Sequence, residues 1–262
     1  MKAVVLHSGG LDSTTLLSQA IVDGADEILA VSIGYGGLHN EAESQAAAQI
    51  VAWYQEQYEF VCDIHRITFD LPSEIFSSNG HGSALIGEFE MPHMTYGEIK
   101  GSVGPSPTVV PFRNANLLSI ATALADARGF DYVYIGAHGD DAHDWAYPDC
   151  TPEFLGAMAN AIRVGTYDKV RLVFPFIWMT KADIVSRAVE LDAPLQLTWS
   201  CYNPVTTELN EYIHCGRCPT CIERANAFAE CGFYDPTGYN ISLVDILGPE
   251  VPTEDLEEWP NV

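Results

Sequence analysis

Short apolar runs alternate with amphipathic stretches along the first 195 residues. Apolar runs bounded by glycine or polar clusters predict strands at 2–6, 28–33, 58–67, 132–136 and 171–174. Apolar positions at helical spacing predict helices at 14–22, 40–54, 114–128, 152–164 and 181–190. Asn40, with Glu43 three residues later, is the expected cap of the second helix, and Pro152 the expected first residue of the fourth. This alternation predicts an α/β fold, a parallel sheet covered by helices on both faces.

The alternation is interrupted over residues 70–111. That stretch is rich in Gly, Ser and Pro and has weak periodicity. A loop of this length inside a domain is typical of a lid or a binding loop. We expect lid or packing roles for its isolated His and Met side chains, which are His81, Met91, His93 and Met94.

Beyond residue 195 a Cys-rich segment replaces the alternation. We expect an ATP-binding α/β domain over residues 1–195 and a small metal-binding segment over residues 196–262. The end of the chain, from about Gly248, is rich in Pro and acidic residues. It is expected to pack loosely.

The composition indicates a folded protein with an acidic surface. Of the 262 residues, 47% are apolar and 11% aromatic, which supplies a sizeable core and excludes global disorder. The 36 acidic residues against 12 basic ones give a net charge of −24. A field of this sign repels nucleic acid and anionic membranes over most of the surface, so neither is an expected partner. A small basic pocket remains compatible with it.

Targeting signals and cysteine usage predict a cytoplasmic protein. The chain has no apolar run of the roughly 18 residues that a membrane span needs. The N-terminal sequence MKAVVLHSGG is too short and too Gly-interrupted for a signal peptide. The seven cysteines are spread unevenly, unlike the disulfide framework of a secreted domain, so we expect them to be reduced.

The segment after the first predicted strand has the composition of a phosphate-binding loop. The Gly pair at 9–10 allows a tight turn, and the helix that follows presents free N–H groups to an anion. Asp12 suits such a loop when Mg²⁺ bridges carboxylate and phosphate. A Walker A loop is excluded because no Gly-Lys-Ser/Thr follows, and an ordinary Gly-rich turn is the alternative. The candidate ATP-binding residues are His7, Ser8, Gly9, Gly10, Leu11, Asp12, Ser13, Thr14 and Thr15.

Four cysteines have the spacing of a tetrahedral metal site. Cys201, Cys215, Cys218 and Cys221 follow the pattern C-x13-C-x2-C-x2-C. Four thiolates suit structural Zn²⁺, in a closed site without an open position for catalysis. Free buried thiols and an iron–sulfur cluster are the alternatives, although the C-x3-C-P continuation of a bacterial ferredoxin is missing. His214 adjoins the cluster and is expected to be a neighbour and not a ligand.

The phosphate loop resembles the PP-loop of ATP pyrophosphatases, which split ATP into AMP and pyrophosphate. Together with further blocks it resembles the 7-cyano-7-deazaguanine synthase family of queuosine and 7-deazapurine biosynthesis, over nearly the whole chain to about Phe233. The blocks are SGGLDSTT (8–15), Tyr35-Gly36 with His39, Arg113-Asn114, YPDC (147–150), PEF (152–154), TKADI (180–184), TWSCY (198–202), CGRCPTC (215–221) and IERANAF (222–228).

The resemblance implies a Rossmann-like, doubly wound fold with a small zinc-binding subdomain, and an ATP-dependent C–N ligase. In the family, the carboxylate of 7-carboxy-7-deazaguanine is adenylated with release of pyrophosphate, and ammonia converts it to the amide. A second ATP then drives the amide to the nitrile. The resemblance also implies structural Zn²⁺, Mg²⁺ with ATP, and a homodimer.

Three residues are candidate catalytic groups by this resemblance. Asp12 is expected near Mg²⁺, and Arg113 and Lys181 are expected to neutralise charge on phosphate or on the substrate carboxylate. The alternatives are a surface arginine at a helix start for Arg113 and a capping role near Asp183 for Lys181.

Candidate substrate-binding residues cluster around the YPDC block. Tyr147 and Asp149, with Asn114, are expected to contact the guanine-like edge, because a carboxylate can accept two N–H donors. A turn before the next helix is the alternative, and Cys150 is expected to be a pocket-lining thiol. A polar run after the fourth strand is a candidate metal site or a solvated loop, and it comprises Asp140, Asp141, His143 and Asp144.

The chain departs from the family pattern at three points. It has YGGLH where the family usually has Y-G-Q-R-H, PFRN where it often has P-G-R-N, and Thr151 where an arginine follows YPDC. An amide-forming ligase that stops at 7-amido-7-deazaguanine is therefore one alternative. A relative that adenylates a protein carboxylate, a nucleotide sensor without turnover and a tRNA-thiolating enzyme are the others.

Overall fold

A five-stranded parallel sheet forms the centre of the protein. The computed structural model describes residues 1–76, 83–86, 108–142, 146–249 and 251–259. The strands are β1 (Lys2–Leu6), β2 (Glu27–Gly34), β3 (Asp63–Asp70), β4 (Tyr132–Tyr134) and β5 (Arg171–Val173), in the spatial order β3-β2-β1-β4-β5. Every pairing is parallel, and Val4 lies opposite both Leu29 and Val133. The strand order reverses between β1 and β4, which confirms the predicted doubly wound α/β fold.

Helices cover both faces of this sheet. They are α1 (Leu11–Val22), α2 (Asn40–Gln57), α3 (Arg113–Arg128), α4 (Gly139–Ala142), α5 (Pro152–Gly165), α6 (Lys181–Glu190), α7 (Pro219–Glu230) and α8 (Leu243–Leu247). Val5 packs with α1, α2 and α6, whereas Val4 packs with α3 and α5. Both valines are fully buried, which explains why β1 is apolar at consecutive positions. In the described part of the chain, none of the helices combines the length and apolarity of a membrane span.

The segment after residue 195 packs against the sheet domain. It contains a two-stranded antiparallel sheet, β6 (Val205–Thr206) with β7 (Tyr212–Ile213), followed by α7 and α8. The N–H of Trp199 donates to the carbonyl of Gly9 at 2.8 Å, so this segment contacts the phosphate loop directly. The boundary at residue 195 stays a prediction.

The predicted capping box at the start of α2 is wrong. His39 occupies the N-cap position, and no side chain caps the helix. When the Asn40 amide is oriented with its oxygen towards the loop, that oxygen accepts from the N–H groups of Tyr35 at 2.9 Å, Gly36 at 3.0 Å and Gly37 at 3.2 Å. Asn40 therefore stabilises the loop before the helix, and Glu43 is free of a capping role.

Two further element boundaries differ from the sequence prediction. The third strand was predicted at 58–67, but β3 spans Asp63–Asp70 because α2 extends to Gln57, and the N–H of Tyr58 still donates to the carbonyl of Tyr54 at 2.9 Å. The first helix begins at Leu11, three residues before the predicted start, because Gly10 already accepts the first helical hydrogen bond.

The described pieces of the predicted lid pack inward. Phe76 and Leu85 are buried, and the carbonyl of Leu85 accepts from the N–H of Leu38 at 3.0 Å. Its isolated polar and sulfur side chains lie outside the described residues, and these are His81, Met91, His93 and Met94.

The expectation of a loosely packed C-terminal end is wrong at Trp259, whereas the other described residues from Gly248 onwards are exposed or half-buried. The Trp259 ring is buried, with its centroid 5.1 Å from that of Phe228 and 5.5 Å from that of Phe233. The carbonyl of Glu257 also accepts from the N–H of Tyr234 at 2.7 Å. One aromatic side chain thus anchors an otherwise acidic segment, because burying a large ring removes much apolar surface from water.

Candidate active site

A cleft of about 220 Å³ opens where the carboxyl ends of β1 and β4 diverge. This reversal of strand order is where open α/β sheets bind ligands. The phosphate loop after β1 forms part of its wall. Two groups of charged side chains complete it, one around Lys181 and the other around Arg113 and Glu43.

The turn of the phosphate loop requires glycine at position 9. Gly9 has φ +92°, and a Cβ there would lie 2.7 Å from both the carbonyl oxygen of Glu43 and the backbone nitrogen of Ala47. A side chain would therefore clash with the backbone of α2. The close approach places the start of α2 directly beside the loop.

The start of α1 presents N–H groups to the cleft. Its first helical hydrogen bond runs from the N–H of Thr14 to the carbonyl of Gly10 at 3.0 Å, so the N–H groups of residues 11–13 have no partner within the helix. The Ser13 hydroxyl donates to the carbonyl of Gly10 at 3.1 Å and lies 3.2 Å from the Ser8 hydroxyl. Free N–H groups at a helix N-terminus are suited to bind phosphate.

The predicted ATP-binding residues divide into a cleft-lining set and an inner set. Thr14 and Thr15 are fully buried, and the Thr15 hydroxyl donates to the carbonyl of Leu11 at 3.0 Å. His7 lines the cleft, and burial lowers its pKa to about 3, so that the ring is neutral. The residues that line the cleft are His7, Ser8, Gly10, Leu11, Asp12 and Ser13.

Lys181 joins the phosphate loop to α6. Its Nζ lies 2.9 and 2.8 Å from the two carboxylate oxygens of Asp12, 3.0 Å from Nε2 of His138 and 3.7 Å from Oε2 of Glu223. Burial lowers the pKa of Lys181, but the Asp12 and Glu223 carboxylates outweigh it and raise the pKa above 10.5. Burial raises the pKa of Asp12, but the nearby Lys181 ammonium outweighs burial, so the pKa of Asp12 is lowered. Both groups are therefore ionised at neutral pH.

The capping alternative for Lys181 is wrong. Thr180 caps α6, since its hydroxyl accepts from the N–H of Asp183 while the Asp183 carboxylate accepts from the N–H of Thr180. The backbone N–H of Lys181 donates to Asp140 at 2.7 Å. The ammonium of Lys181 is therefore left to face the cleft.

Arg113 lies at the start of α3 and lines the cleft. Its Nη1 donates to the Tyr35 hydroxyl at 3.3 Å, and its guanidinium carbon lies 5.8 Å from the centre of that ring. The Tyr35 hydroxyl is also 3.4 Å from Nε2 of His39, and the His39 ring centroid is 5.3 Å from that of Tyr202. A cation supported by aromatic rings thus faces the cleft, which argues against the surface alternative for Arg113.

Glu43 brings a carboxylate to the same group. It belongs to the first turn of α2 and its side chain is 21% exposed. Burial raises the pKa of Glu43 to about 8, against the opposing effect of Arg113. Oε2 of Glu43 lies 3.7 Å from Nε2 of His39, and burial lowers the pKa of His39 to about 4. The histidine is therefore neutral and supplies no compensating charge.

The predicted substrate residues form a hydrogen-bonded support for α3. The Asp149 carboxylate accepts from the backbone N–H of Asn114 at 2.8 Å. Nδ2 of Asn114 donates to the carbonyl of Asp149 at 3.1 Å and to Sγ of Cys150 at 3.2 Å. Asn114 and Cys150 line the cleft, whereas Tyr147 is buried with its hydroxyl 2.6 Å from that of Thr108. Substrate contact by these residues stays a prediction.

The two described acidic residues of the polar run after β4, Asp140 and Asp141, make different contacts. The Asp140 carboxylate accepts from the N–H of Lys181, and Oδ2 of Asp141 lies 3.4 Å from Nε2 of His138. His143 and Asp144 lie outside the described residues. Asp141 therefore adds a third carboxylate, with Asp12 and Glu223, to the Lys181 side of the cleft.

The four predicted metal ligands converge in the structure. The Sγ atoms of Cys201, Cys215, Cys218 and Cys221 all lie within 4.8 Å of one another, and every one of the four side chains is buried. Sγ of Cys218 lies 3.4 Å from that of Cys221 and 4.0 Å from that of Cys201. Four thiolates about 2.3 Å from one tetrahedral metal stand about 3.8 Å apart. The cluster therefore fits a single metal ion.

Backbone N–H groups and neighbouring sulfurs surround the cluster. Sγ of Cys201 accepts from the N–H groups of Asn203 at 3.3 Å and of Cys215 at 3.2 Å. Hydrogen bonds from the neighbouring sulfurs hold the pKa of Cys218 well below that of a free thiol. Nε2 of His214 instead accepts from the N–H of Ser200 at 3.0 Å, which confirms that it is a neighbour of the cluster.

The sequence motifs assigned no part in the site to three cleft residues, Glu43, Tyr202 and Glu223, or to His138, which contacts Lys181. Glu43 and His138 stand outside every motif block, while Tyr202 and Glu223 fall within TWSCY and IERANAF. The signal for Glu43 was its position four residues after His39, on one face of a helix. Nothing local marks His138, whose role depends on Lys181 from a different element.

Comparison with known proteins identifies close relatives. Residues 2–232 match the family described as Queuosine biosynthesis protein QueC. The 7-cyano-7-deazaguanine synthase of Methanoculleus marisnigri is 41% identical over 241 residues, covering 91% of this chain and 98% of that protein. The enzyme of the same name from Thermoplasma volcanium is 37% identical and covers 91% of each chain.

A solved structure shows a more distant likeness. It is described as U34-tRNA thiolase NcsA from Methanococcus maripaludis with its [4Fe-4S] cluster. The two chains are 15% identical with a TM-score of 0.44, over 74% of this chain and 58% of the other.

Proposed function

This chain belongs to the family of the queuosine biosynthesis protein QueC, the 7-cyano-7-deazaguanine synthases, and we propose that its cleft carries out that synthesis. The substrates are 7-carboxy-7-deazaguanine, ammonia and ATP, and the product is 7-cyano-7-deazaguanine. The observation that carries the proposal is the contact of Lys181 with Asp12. It holds a permanent cation beside the free N–H groups of the phosphate loop.

The chemistry requires a carboxylate to become an electrophile. Attack of the substrate carboxylate on the α-phosphate of ATP forms an acyl adenylate and expels pyrophosphate. Ammonia then displaces AMP to give the amide. Activation of the amide oxygen by a second ATP, followed by loss of AMP and a proton, gives the nitrile. Each adenylation places extra negative charge on the α-phosphate, which preorganised cations and N–H donors stabilise.

We propose residue roles on this basis. The N–H groups of the α1 start and the hydroxyls of Ser8 and Ser13 hold the phosphates of ATP. Lys181 stabilises the charge that develops as pyrophosphate leaves, and Asp12 keeps the Lys181 ammonium in position. Arg113 orients the substrate carboxylate against the α-phosphate by bidentate hydrogen bonding.

The donor sets suggest two metals. The Asp12, Asp141 and Glu223 carboxylates offer the hard oxygen ligands that Mg²⁺ prefers, and Mg²⁺ supplies charge neutralisation to ATP. The four-cysteine cluster has the soft donors and spacing that suit Zn²⁺, which would cross-link the loop after Trp199 to α7. We propose both ions, with the zinc in a structural role.

Departures from the family pattern give the second candidate, an enzyme that stops at the amide. Leu38 occupies the position of the usual arginine in Y-G-Q-R-H, and its side chain is half-exposed. Thr151 follows YPDC, and its hydroxyl accepts from the N–H of Phe154 at 3.3 Å as the cap of α5. The chain therefore lacks two basic side chains that the family pattern usually has. We expect their loss to affect the second adenylation most.

The decisive experiment incubates the protein with ATP, Mg²⁺, ammonium and 7-carboxy-7-deazaguanine. We expect pyrophosphate release that depends on the deazapurine, and a product mass equal to the nitrile. A product heavier by one water identifies the amide-forming alternative. Absence of pyrophosphate with all components present overturns the ligase proposal.

We also propose a cytoplasmic homodimer that binds no nucleic acid. The net charge of −24 opposes binding to tRNA, since phosphate contacts dominate such affinity. Light scattering of the purified protein tests the dimer. A filter-binding assay with tRNA at low salt tests the absence of nucleic-acid affinity.

A further inference from the structure

Among the residues that the structure describes, no Lys or Arg side chain forms an ion pair with the cleft carboxylate of Glu43. Its carboxylate lines the cleft beside the phosphate loop, because the backbone of α2 packs against Gly9. Its ion-pair contact in the described part of the chain is the 3.7 Å approach of Oε2 to Nε2 of His39, which exceeds hydrogen-bond length. A ligand that donates an N–H to this partly buried carboxylate gains affinity, because hydrogen bonds to charged groups are stronger than those between neutral groups.

The other carboxylates that line the cleft already have basic neighbours. Asp12 contacts the Lys181 ammonium, Glu223 lies 3.7 Å from that ammonium, and Asp141 lies 3.4 Å from Nε2 of His138. Asp149, the carboxylate that sequence reasoning favoured for the substrate, holds the N–H of Asn114 at 2.8 Å. Glu43 differs from these carboxylates because its basic neighbour, His39, is neutral and lies beyond hydrogen-bond length, so Glu43 can still accept from a ligand.

The neighbours of Glu43 suit a planar, polar ring. The Arg113 guanidinium provides N–H donors on the same side of the cleft, and its charge favours an ionised Glu43. Tyr35 and Tyr202 add aromatic surface. A carboxylate next to a guanidinium, both bordered by aromatic rings, complements a heterocycle that carries adjacent N–H donors and a carbonyl acceptor.

We propose that Glu43 is the specificity-determining residue that reads the 2-amino-pyrimidinone edge of the substrate, an inference that rests on the proposed function. The two carboxylate oxygens of Glu43 accept from the ring N1–H and from the exocyclic 2-amino group. Two parallel donors match the spacing of one carboxylate, the arrangement with which proteins read such edges. No bond is made or broken at Glu43, so it binds and orients the ring.

Direct binding tests the proposal without relying on turnover. Calorimetric titrations compare 7-carboxy-7-deazaguanine with 7-carboxy-7-deazahypoxanthine, which lacks only the 2-amino group. For the wild-type chain we expect the amino compound to bind about 10- to 100-fold more tightly, the range for one hydrogen bond to a charged group. Glu43→Gln should lose this preference while its affinity for ATP is unchanged, because a glutamine side chain accepts at only one of its two terminal atoms.

Glu41→Gln is the matched control. Glu41 belongs to the same helical turn but is exposed, and its Oε2 accepts from the Tyr212 hydroxyl at 2.9 Å. This variant should keep the wild-type preference. Retention of the preference in Glu43→Gln, or a weakened affinity for ATP in its place, overturns the assignment of Glu43.

Pyrophosphate release measured on the same preparations separates the two hypotheses. A wild-type chain that binds and discriminates the two compounds but releases no pyrophosphate overturns the proposed function and leaves the role of Glu43 supported. A wild-type chain that binds neither compound overturns both. Turnover of both compounds at equal efficiency sustains the ligase and overturns the role of Glu43.

Discussion

The ammonium of Lys181 lies 2.9 and 2.8 Å from the two carboxylate oxygens of Asp12, although 169 positions separate them in sequence. The contact joins α6, which follows β5, to α1, which follows β1. It therefore spans the reversal of strand order at which the cleft opens. Because only 12% of the Lys181 side chain is exposed, solvent screens this pair less than it would a surface ion pair.

Lys181→Gln should abolish most of the activity. Removing a preorganised cation from the reacting phosphates costs about 100- to 1000-fold in kcat, and we expect a smaller effect on the KM for the deazapurine. Initial rates of pyrophosphate release measure both. Lys169→Gln removes the same charge from an exposed pair with Asp126 and should leave the rate unchanged. If both variants lost the same fraction of the rate, the effect would come from the net charge and not from the position of Lys181.

Metal analysis should find about one zinc per chain at the four-cysteine cluster. Cys218→Ser should release the metal and lower the melting temperature, because the cluster links separate parts of the chain. Cys231→Ser, at a free cysteine outside the cluster, is the matched control and should retain zinc. Iron with the visible absorbance of a cluster would support the iron–sulfur alternative.

Asp235→Asn should destabilise the fold by about 3–5 kcal/mol, since it leaves a buried arginine unpaired. Asp235 accepts from Nε of Arg224 at 2.7 Å, and both side chains are almost wholly buried. Burial raises the pKa of Asp235, but Arg224 and further hydrogen bonds outweigh it and lower the pKa. The stabilisation is therefore complete above about pH 4 and is lost as the pH falls further.

Urea unfolding at several pH values measures this effect. The difference in unfolding free energy between the wild type and Asp235→Asn should shrink in acid. Asp255→Asn, at an exposed position, should unfold like the wild type at each pH. A difference that stays constant down to the lowest pH would argue against an ionic contribution.

Asp149→Ala should act on stability more than on substrate binding. The buried N–H of Asn114 would lose its acceptor, at a cost of about 1–3 kcal/mol. Urea unfolding gives the loss, and the KM for 7-carboxy-7-deazaguanine should remain within about twofold of the wild type, because the carboxylate serves α3. A large rise in KM at unchanged stability would instead support the substrate role predicted from the sequence.

Substrate affinity should rise with pH towards about pH 8. Burial raises the pKa of Glu43 to about 8, so the empty cleft holds it largely protonated at neutral pH. A ligand that donates N–H groups binds the ionised form, and its affinity gains as that form becomes populated. Of the groups that face Glu43, His39 has its pKa lowered to about 4, the pKa of Tyr35 is raised and Arg113 stays charged.

Calorimetric titration of 7-carboxy-7-deazaguanine across this range provides the measurement. Glu43→Gln should flatten the profile, and its curve also corrects for ionisation of the ligand itself. A slope that persists in the variant would assign the pH dependence to another group.

Local pattern was sufficient for much of the fold. The apolar runs of β1 and β2 predicted buried strands because both of their faces lie beneath helices. The phosphate loop was predictable because its glycines and hydroxyls are contiguous, and the cysteine spacing already brings three sulfurs onto one turn. The cap at Asn40 was predicted wrongly because an asparagine at the start of a helix can either cap the helix or bind the backbone of the loop before it. Both arrangements have the same local sequence. The role of Trp259 depended on Phe228 and Phe233, which are distant in sequence.

The sequence by itself determined the parallel α/β architecture, the phosphate loop and the cysteine cluster, since each depends on residues that are close along the chain. Tertiary structure alone decided which charged groups are paired. It pairs Asp12 with the Lys181 ammonium and Asp149 with the N–H of Asn114, and it places Glu43 at the cleft. The physical reason is that charge pairing and burial depend on distances between elements, and the sheet sets those distances by bringing strands together in an order different from that of the chain.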